Sequence, residues 1–297
     1  MTVATLRAET PARRLLANFS ASRTAVTALV VFLLIVVAAV AAPWVSPQNP
    51  YSLAELDIMD GRLPPGSESM AGQTYWLGTD DQGRDMLSAI LYGMRISLAV
   101  GITSAFLACA VGTLIGLFAA YVGGRTESLV MRLVDLQLSF PTILVALMIL
   151  AVLGKSVMNV VFALVIVEWA YYARTVRSAA IVERGKEYVE AGRGLRLSPA
   201  RIMLRHLLPN CLPPIIVIGT MQIARAIALE ATLSFLGLGV PITEPSLGLL
   251  IANGYQYMQA GHYWISVYPG LALLVTIVAI NLVGDHLRDV LNPRLSK

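Results

Sequence analysis

The sequence predicts an all-α membrane protein with six transmembrane helices and both termini on the cytoplasmic side. Three observations carry that reading. Of 297 residues, 57% are hydrophobic and 13% charged, where a soluble domain carries about a quarter charged residues. Six apolar runs approach the roughly 20 residues that cross about 30 Å of hydrocarbon, and lipid leaves the helix as the form such runs take. Lysine and arginine collect in alternate connections, the pattern that sets orientation.

The first run covers about Thr24–Ala42. Arg13, Arg14 and Arg23 precede it, and Ala39–Val40–Ala41 resembles a signal-peptidase site. A signal peptide has an apolar core of roughly 7–15 residues; this run is longer, which favours an uncleaved anchor. The further runs are about Ile96–Tyr121, Leu133–Leu153, Val157–Ala173, Pro214–Leu236 and Ile265–Gly284. Residues 44–95 form an extracytoplasmic segment. It carries Arg62, Arg84 and Arg95 against seven acids, and its prolines and glycines predict irregular structure. Between the fourth and fifth runs lie Arg174, Arg177, Arg184, Lys186, Arg193, Arg196, Arg201 and Arg205, and the connection between the fifth and sixth has no Lys or Arg. Rich and poor connections alternate, as six crossings require. The organisation is a tail over 1–23, a first helix over 24–43, the segment 44–95, a five-helix core over 96–284 and a tail over 285–297.

The basic connection is more than a solvated loop. In EYVEAGRGLRLSPARIMLRHLLPN (187–210), Tyr188, Ala191, Gly192 and Leu195 recur at helical spacing. Ser198 reads as an N-cap with Pro199 at the first helical position. A second short helix would present Ile202, Leu207 and Leu208 on one side and end at Pro209, Pro213 and Pro214. Gly192 and Gly194 weaken the first helix, which makes sense if another backbone approaches closely there. A loop serving only charge asymmetry explains the arginines but not the cap, the proline stop or the apolar stripe. The pattern favours a docking hairpin.

This stretch resembles the EAA loop of ABC-importer permeases, whose pattern is E-A-A, three residues, G, nine residues, I-x-L-P. The register places Glu190, Ala191, Gly192, Arg196, His206, Leu208 and Pro209 on it. Gly192 stands for Ala, Arg196 for Gly and His206 for Ile. WLGTDDQGRDMLSAILYGMRISLAVG (76–101), RLVDLQLSFPTILVAL (132–147), EATLSFLGLGVP (230–241) and NLVGDHLRDVLNPR (281–294) are similar to the dipeptide/oligopeptide/nickel branch, on its C-type subunit. In the last, His286 stands where Gly is usual and Asn292 where Asp is usual. The five motifs cover roughly 76–294.

The resemblance implies a type I ABC-importer permease fold with a coupling loop over 174–213. It implies a multi-pass protein of the bacterial inner membrane and no catalytic residue on this chain. Partners would be a homologous permease subunit (DppB-like), two cytoplasmic ABC ATPases that hold ATP and magnesium, and an extracytoplasmic binding protein delivering peptide or a related solute. Contacts to the ATPase would come from Glu190, Ala191, Gly192, Arg193, Leu195, Arg196, Ser198, Pro199, Ile202, Leu208 and Pro209.

The residues agree with that division. A phosphate loop needs G-x-x-x-x-G-K-[ST]; LGKS at 153–156 has Ile149 where the first glycine belongs. No basic run interleaved with aromatics suggests nucleic acid. Cys109 and Cys211 fit neither a disulfide framework nor a metal site, and His206, His262 and His286 are scattered. There is no H-E-x-x-H, and LVGD at 282–285 lacks the first glycine of G-x-G-D.

Charge within lipid costs about 2.5–3.5 kcal/mol on insertion scales and needs a partner or a watery path. Asp135 and Glu230, near span ends, read as helix-pairing or snorkelling residues. Glu168, Gln222 and Arg225 lie deeper, as a translocation-pathway lining in which Glu168 pairs with Arg225, or as a static structural pair. Gly112 and Gly116 form a small-residue contact. Tyr255, Tyr257, Tyr263, Trp264 and Tyr268 read as an interfacial belt. The alternative to an importer subunit is a gradient-driven carrier or channel. Such a carrier has no reason for a capped docking hairpin and usually shows paired halves with interrupted helices, which this sequence lacks. A purely structural scaffold would leave the intramembrane acids unexplained.

Overall fold

The computed structural model describes residues 17–52, 56–69 and 72–291. Most of the N-terminal tail, and Asn292 with the last five residues, lie outside the described residues. The helices are α1 (Arg23–Val45), α2 (Met86–Val122), α3 (Gly124–Ser139), α4 (Thr142–Leu153), α5 (Val157–Arg184), α6 (Glu187–Gly194), α7 (Pro199–Arg201), α8 (Leu208–Phe235), α9 (Leu247–Tyr255) and α10 (Trp264–Leu291). Residues Ile202–Leu207 form a π-helical turn joining α7 to α8. Among the described residues, five helical stretches are long and apolar enough to cross a membrane: α1, α2, α5, α7 through α8, and α10.

The run expected over Leu133–Leu153 is not one straight helix, and it makes a sixth span only if its two pieces are taken together. α3 and α4 meet at 88°. The cause is local. Pro141 has no N–H and disfavours helical geometry in the residue before it, and Phe140 is extended at φ −88°, ψ 142°. The expected run over Leu133–Leu153 is therefore broken near its middle.

α2 also departs from expectation. It begins at Met86, inside the segment expected to be irregular. Asp85 caps it, accepting from the Ser88 amide at 2.8 Å and the Ser88 hydroxyl at 2.6 Å. At about 1.5 Å per residue its 37 residues reach roughly 55 Å, longer than a hydrocarbon core. α5 likewise runs past the expected Ala173 to Arg184.

Glycines let these helices close. A Cβ at Gly112 would run into the Trp169 carbonyl and Tyr172, and one at Gly116 into the Ala173 carbonyl, so α2 and α5 pack nearly backbone to backbone. α9 was not anticipated. Its nine residues are too short to cross, and Leu247, Leu249 and Leu250 are buried. Gly248 sits on the Ala231 backbone of α8 and Gly254 on Ile265–Ser266 of α10.

The segment between α1 and α2 holds a two-stranded hairpin, β1 (Ser67–Glu68) against β2 (Thr74–Tyr75). Asp80 organises the turn before α2. It accepts from the amides of Gln82 and Arg84 at 2.9 Å and from the Arg84 guanidinium at 2.6 Å, with both side chains buried. Trp264 of α10 donates its indole N–H to the Thr79 carbonyl at 3.1 Å and fastens this segment to the bundle.

Candidate functional site

The hairpin over 187–208 is built from local rules. α6 ends in a Schellman motif. The Leu197 amide reaches back to the Gly192 carbonyl at 3.1 Å and the Arg196 amide to Arg193 at 2.9 Å. The motif needs a left-handed residue, and Arg196 takes that role at φ 54°. The departure from glycine thus leaves the turn in place, at a cost of roughly 1–2 kcal/mol for a residue with a Cβ. The equivalent turn after α8 uses Gly237 at φ 79°, with Leu238 reaching Leu233 at 3.0 Å. Ser198 is the next N-cap, accepting from the Arg201 amide at 3.4 Å, and Pro199 is the first helical residue.

One side of the hairpin is its root. Val189, Gly192, Ile202 and Leu207 are buried, with Leu208 half-buried, against Leu117 of α2, Val176 and Ala180 of α5, and Cys211 and Ile215 of α8. Arg193 lies over the Tyr121 ring at 5.4 Å. Tyr188 donates to Glu183 at 2.7 Å and accepts from the Asn210 side chain at 3.2 Å. Burial, and then the Glu183 carboxylate, push the Tyr188 hydroxyl up to about 12. The other side faces away from the chain. Glu190, Ala191, Arg193, Leu195, Arg196, Ser198, Pro199 and Pro209 are exposed, Leu195 at 76%. Ala191 and Leu195 are apolar residues on that outer side, and the part-exposed Tyr188 ring adjoins them at the edge of the root.

One expectation about this hairpin fails, and another finds no counterpart within the chain. No backbone of this chain comes close to the hairpin glycines. A Cβ at Gly192 would meet Leu197 at an ordinary 3.6 Å, and one at Gly194 would meet nothing within 4 Å. Nor does the second helix stop at Pro209. The π turn shifts the bonding register, with the Leu208 amide reaching Met203, and the helix continues with Pro213 and Pro214 inside it. The Asn210 side chain donates to the His206 carbonyl at 2.8 Å.

The intramembrane groups separate into distinct arrangements. Asp135 pairs with Arg174 of α5, and Glu127 of α3 pairs with Arg177. Glu230 is buried and accepts from Ser97 at 2.8 Å and from Ser234 at 2.7 Å, which binds α8 to α2. Ser97 also accepts from the Leu247 amide at 3.3 Å and brings α9 into the same knot.

Glu168 does not pair with Arg225. The Glu168 carboxylate is fully buried with neither oxygen hydrogen-bonded, and Gln222 is buried with its amide nitrogen unpartnered. Neither lines an open groove. The Arg225 guanidinium instead donates to the Tyr171 hydroxyl at 2.7 Å and the Thr142 hydroxyl at 3.1 Å, and lies 4.3 Å from the Tyr171 ring centroid. The side of α8 that carries Arg225 opens into a groove of about 320 Å³ with Thr142, Ile143, Ala228, Leu229 and Thr232. Of the three expected pathway residues, only Arg225 reaches such a surface.

Comparison with known proteins decides the family. Residues 112–297 match the profile of the binding-protein-dependent transport system inner membrane component. The chain belongs to that family. Residues 10–65 match the N-terminal transmembrane domain of oligopeptide transport permease C. Similar full-length relatives of this permease include the di/tripeptide transport system permease protein of Pseudomonas aeruginosa, 38% identical over 96% of this chain and 93% of the relative. The dipeptide transport system permease protein of Haemophilus influenzae is 36% identical over 99% and 98%. A putative peptide transport system permease protein of Brucella suis is 42% identical over 90% and 86%. Among solved structures, the inward-facing MetNI methionine ABC transporter shares the permease fold at TM-score 0.57 and 20% identity, over 70% of this chain and 98% of that one. The permease is accordingly a multi-pass inner-membrane component of a binding-protein-dependent transport system.

Proposed function

We propose that this permease is one of two transmembrane subunits of an ABC importer for di- or oligopeptides, and that its hairpin is the seat of a separate ATPase. The observation that carries the coupling is the two-sided hairpin: a root locked to α2, α5 and α8, and an outer side with exposed apolar Ala191 and Leu195 beside the Tyr188 ring. A solvated loop has no reason to order such a surface. The names of the relatives support peptide as cargo, and the arginine distribution supports a cytoplasmic hairpin and cytoplasmic termini.

In this reading Glu190, Ala191, Gly192, Arg193, Leu195, Arg196, Ser198 and Pro199 form or shape the surface that meets the ATPase. Ile202, Leu208 and Pro209 transmit its motion into α8. A homologous sister permease completes the pathway, and a binding protein loads it from the opposite side. ATP and magnesium belong to the ATPase subunits.

The test is uptake by vesicles holding the whole complex, supplied with ATP and loaded binding protein but no ion gradient. ATP-dependent peptide uptake that Leu195→Asp abolishes is the expected result. Uptake driven by a gradient without ATP would instead show a secondary carrier.

A further inference from the structure

One face of α8 is open along much of its length. At about 100° per residue, Pro214, Val217, Ile218, Met221, Arg225, Ala228 and Thr232 fall within about 60° of one line. The hairpin-side half of this stripe lines a groove of about 520 Å³ with Thr175 and Arg288. The other half lines the groove around Arg225. Glu230 lies on the opposite side of the helix, buried in its serine cage. Arg225 is therefore the stripe's only charge between residues 214 and 232.

Arg225 lies about 15 Å along the helix from Phe235 at about 1.5 Å per residue, well inside the span. An arginine turned to lipid at such depth costs about 2.5–3.5 kcal/mol even on the mildest scales. Its contacts are a hydroxyl, a phenol and a ring, all neutral, and among the described residues no carboxylate is in ion-pair contact with it. Tyr171 and Thr142 both hold the same terminal nitrogen, and Arg225 is one of the residues that line the groove. Thr142 is the first residue of α4, just past the 88° break. Broken backbone at membrane depth is tolerated where it is buried in protein or lines a water-filled cavity. A positioned, half-desolvated guanidinium with no carboxylate in contact, the nearby Glu168 being buried without touching it, is a receptor for a carboxylate, which it can bind in bidentate fashion.

We propose that Arg225 is a way-station for the solute itself and binds the C-terminal carboxylate of a peptide passing along the open face of α8. This rests on the importer reading above. Tyr171 and Thr142 are positioning residues that aim the guanidinium, and Arg288 offers the next cation toward the hairpin side.

The test uses the complete importer in vesicles, with trialanine as the free acid and as its C-terminal amide. The binding protein is the same throughout, so its own preference cancels in a comparison of acid-to-amide uptake ratios. In Arg225→Gln that ratio should fall about tenfold, with binding-protein-stimulated ATP hydrolysis retained. Arg225→Lys should keep the ratio within about threefold. An unchanged ratio in Arg225→Gln overturns the inference and leaves the importer reading standing. Loss of stimulated hydrolysis together with uptake in Arg225→Gln assigns the residue a structural role and also overturns it. Should the ratio change only in vesicles containing phosphatidylglycerol and not in phosphatidylcholine alone, the groove's anion is a lipid phosphate, again overturning it. Absence of ATP-dependent trialanine uptake in the unaltered complex takes down the importer reading and this inference together.

Discussion

Arg193 lies across the ring of Tyr121, its guanidinium carbon 5.4 Å from the ring centroid. At the preceding residue of α2, Arg184 donates to the Ala120 carbonyl at 2.7 Å. The end of α2 is thus clasped by both the helix that leads into the hairpin and the hairpin itself. Such contacts are individually small, about 0.5–1 kcal/mol for an exposed cation over a ring. Together they make the hairpin's angle a property of the bundle.

Tyr188→Phe should loosen that root. It removes the hydroxyl that joins Glu183 to Asn210, and a hydrogen bond to a charged group contributes about 1.5–3 kcal/mol. Amide exchange across Glu187–Gly194 should accelerate at least tenfold, and peptide uptake should fall while ATP hydrolysis persists. Unaltered exchange would refute the bridge.

Arg196→Gly should stabilise the turn. Glycine adopts the left-handed conformation without the Cβ penalty, a gain of roughly 1 kcal/mol. Amide protection at Leu197 should rise about fivefold. A β-branched substitution, Arg196→Val, should move it the other way.

Ser97→Ala should weaken the bundle by about 1–3 kcal/mol, the cost of leaving a buried acceptor unmatched. The affected acceptor is Glu230, and the Leu247 amide loses its partner too. The onset of thermal aggregation should drop by several degrees, and Ser97→Thr, which keeps the hydroxyl, should restore part of the loss.

Asp81 supplies a pH-dependent test outside the spans. Burial, and then the neighbouring Asp80, hold its carboxyl above its ordinary value, and one of its oxygens has no partner. The ionised form is thus disfavoured in the fold. Stability contributed by the protonated form is present below the ordinary value and is lost as pH rises through the raised one. Asp81→Asn should therefore increase resistance of the segment between α1 and α2 to proteolysis at neutral pH. The gain should shrink in acid, where Asp81 is itself neutral.

What the sequence disclosed was what local chemistry decides. Ser198 and Pro199 announce a helix start whatever surrounds them, and long apolar runs must be helices. The bend after Phe140 was also written there, in a proline following an aromatic at mid-span, but hydropathy averaged it away. α9 escaped because nine apolar residues neither cross a membrane nor look like a loop. Partner choice inside the bundle was not readable. Glu168 and Arg225 are opposite charges at matching depth, yet which way each side chain turns depends on how α5 is rotated in the bundle, where Gly112 and Gly116 seat it against α2. At Arg196 the sequence shows a departure from glycine, but only the backbone shows that the left-handed turn is kept.

From Pro199 to Phe235 the backbone stays helical without a gap, about 55 Å at 1.5 Å per residue. Its foot is the outer surface of the hairpin and its crown is the Glu230 knot. The strut joins the two ends through one continuous helix, so paired spectroscopic labels at Arg201 and Ser234 read whether they move together. Whatever compliance the strut has is concentrated at the π turn and the Pro213–Pro214 pair, so stiffening those few residues is the economical way to ask whether motion at one end is needed at the other.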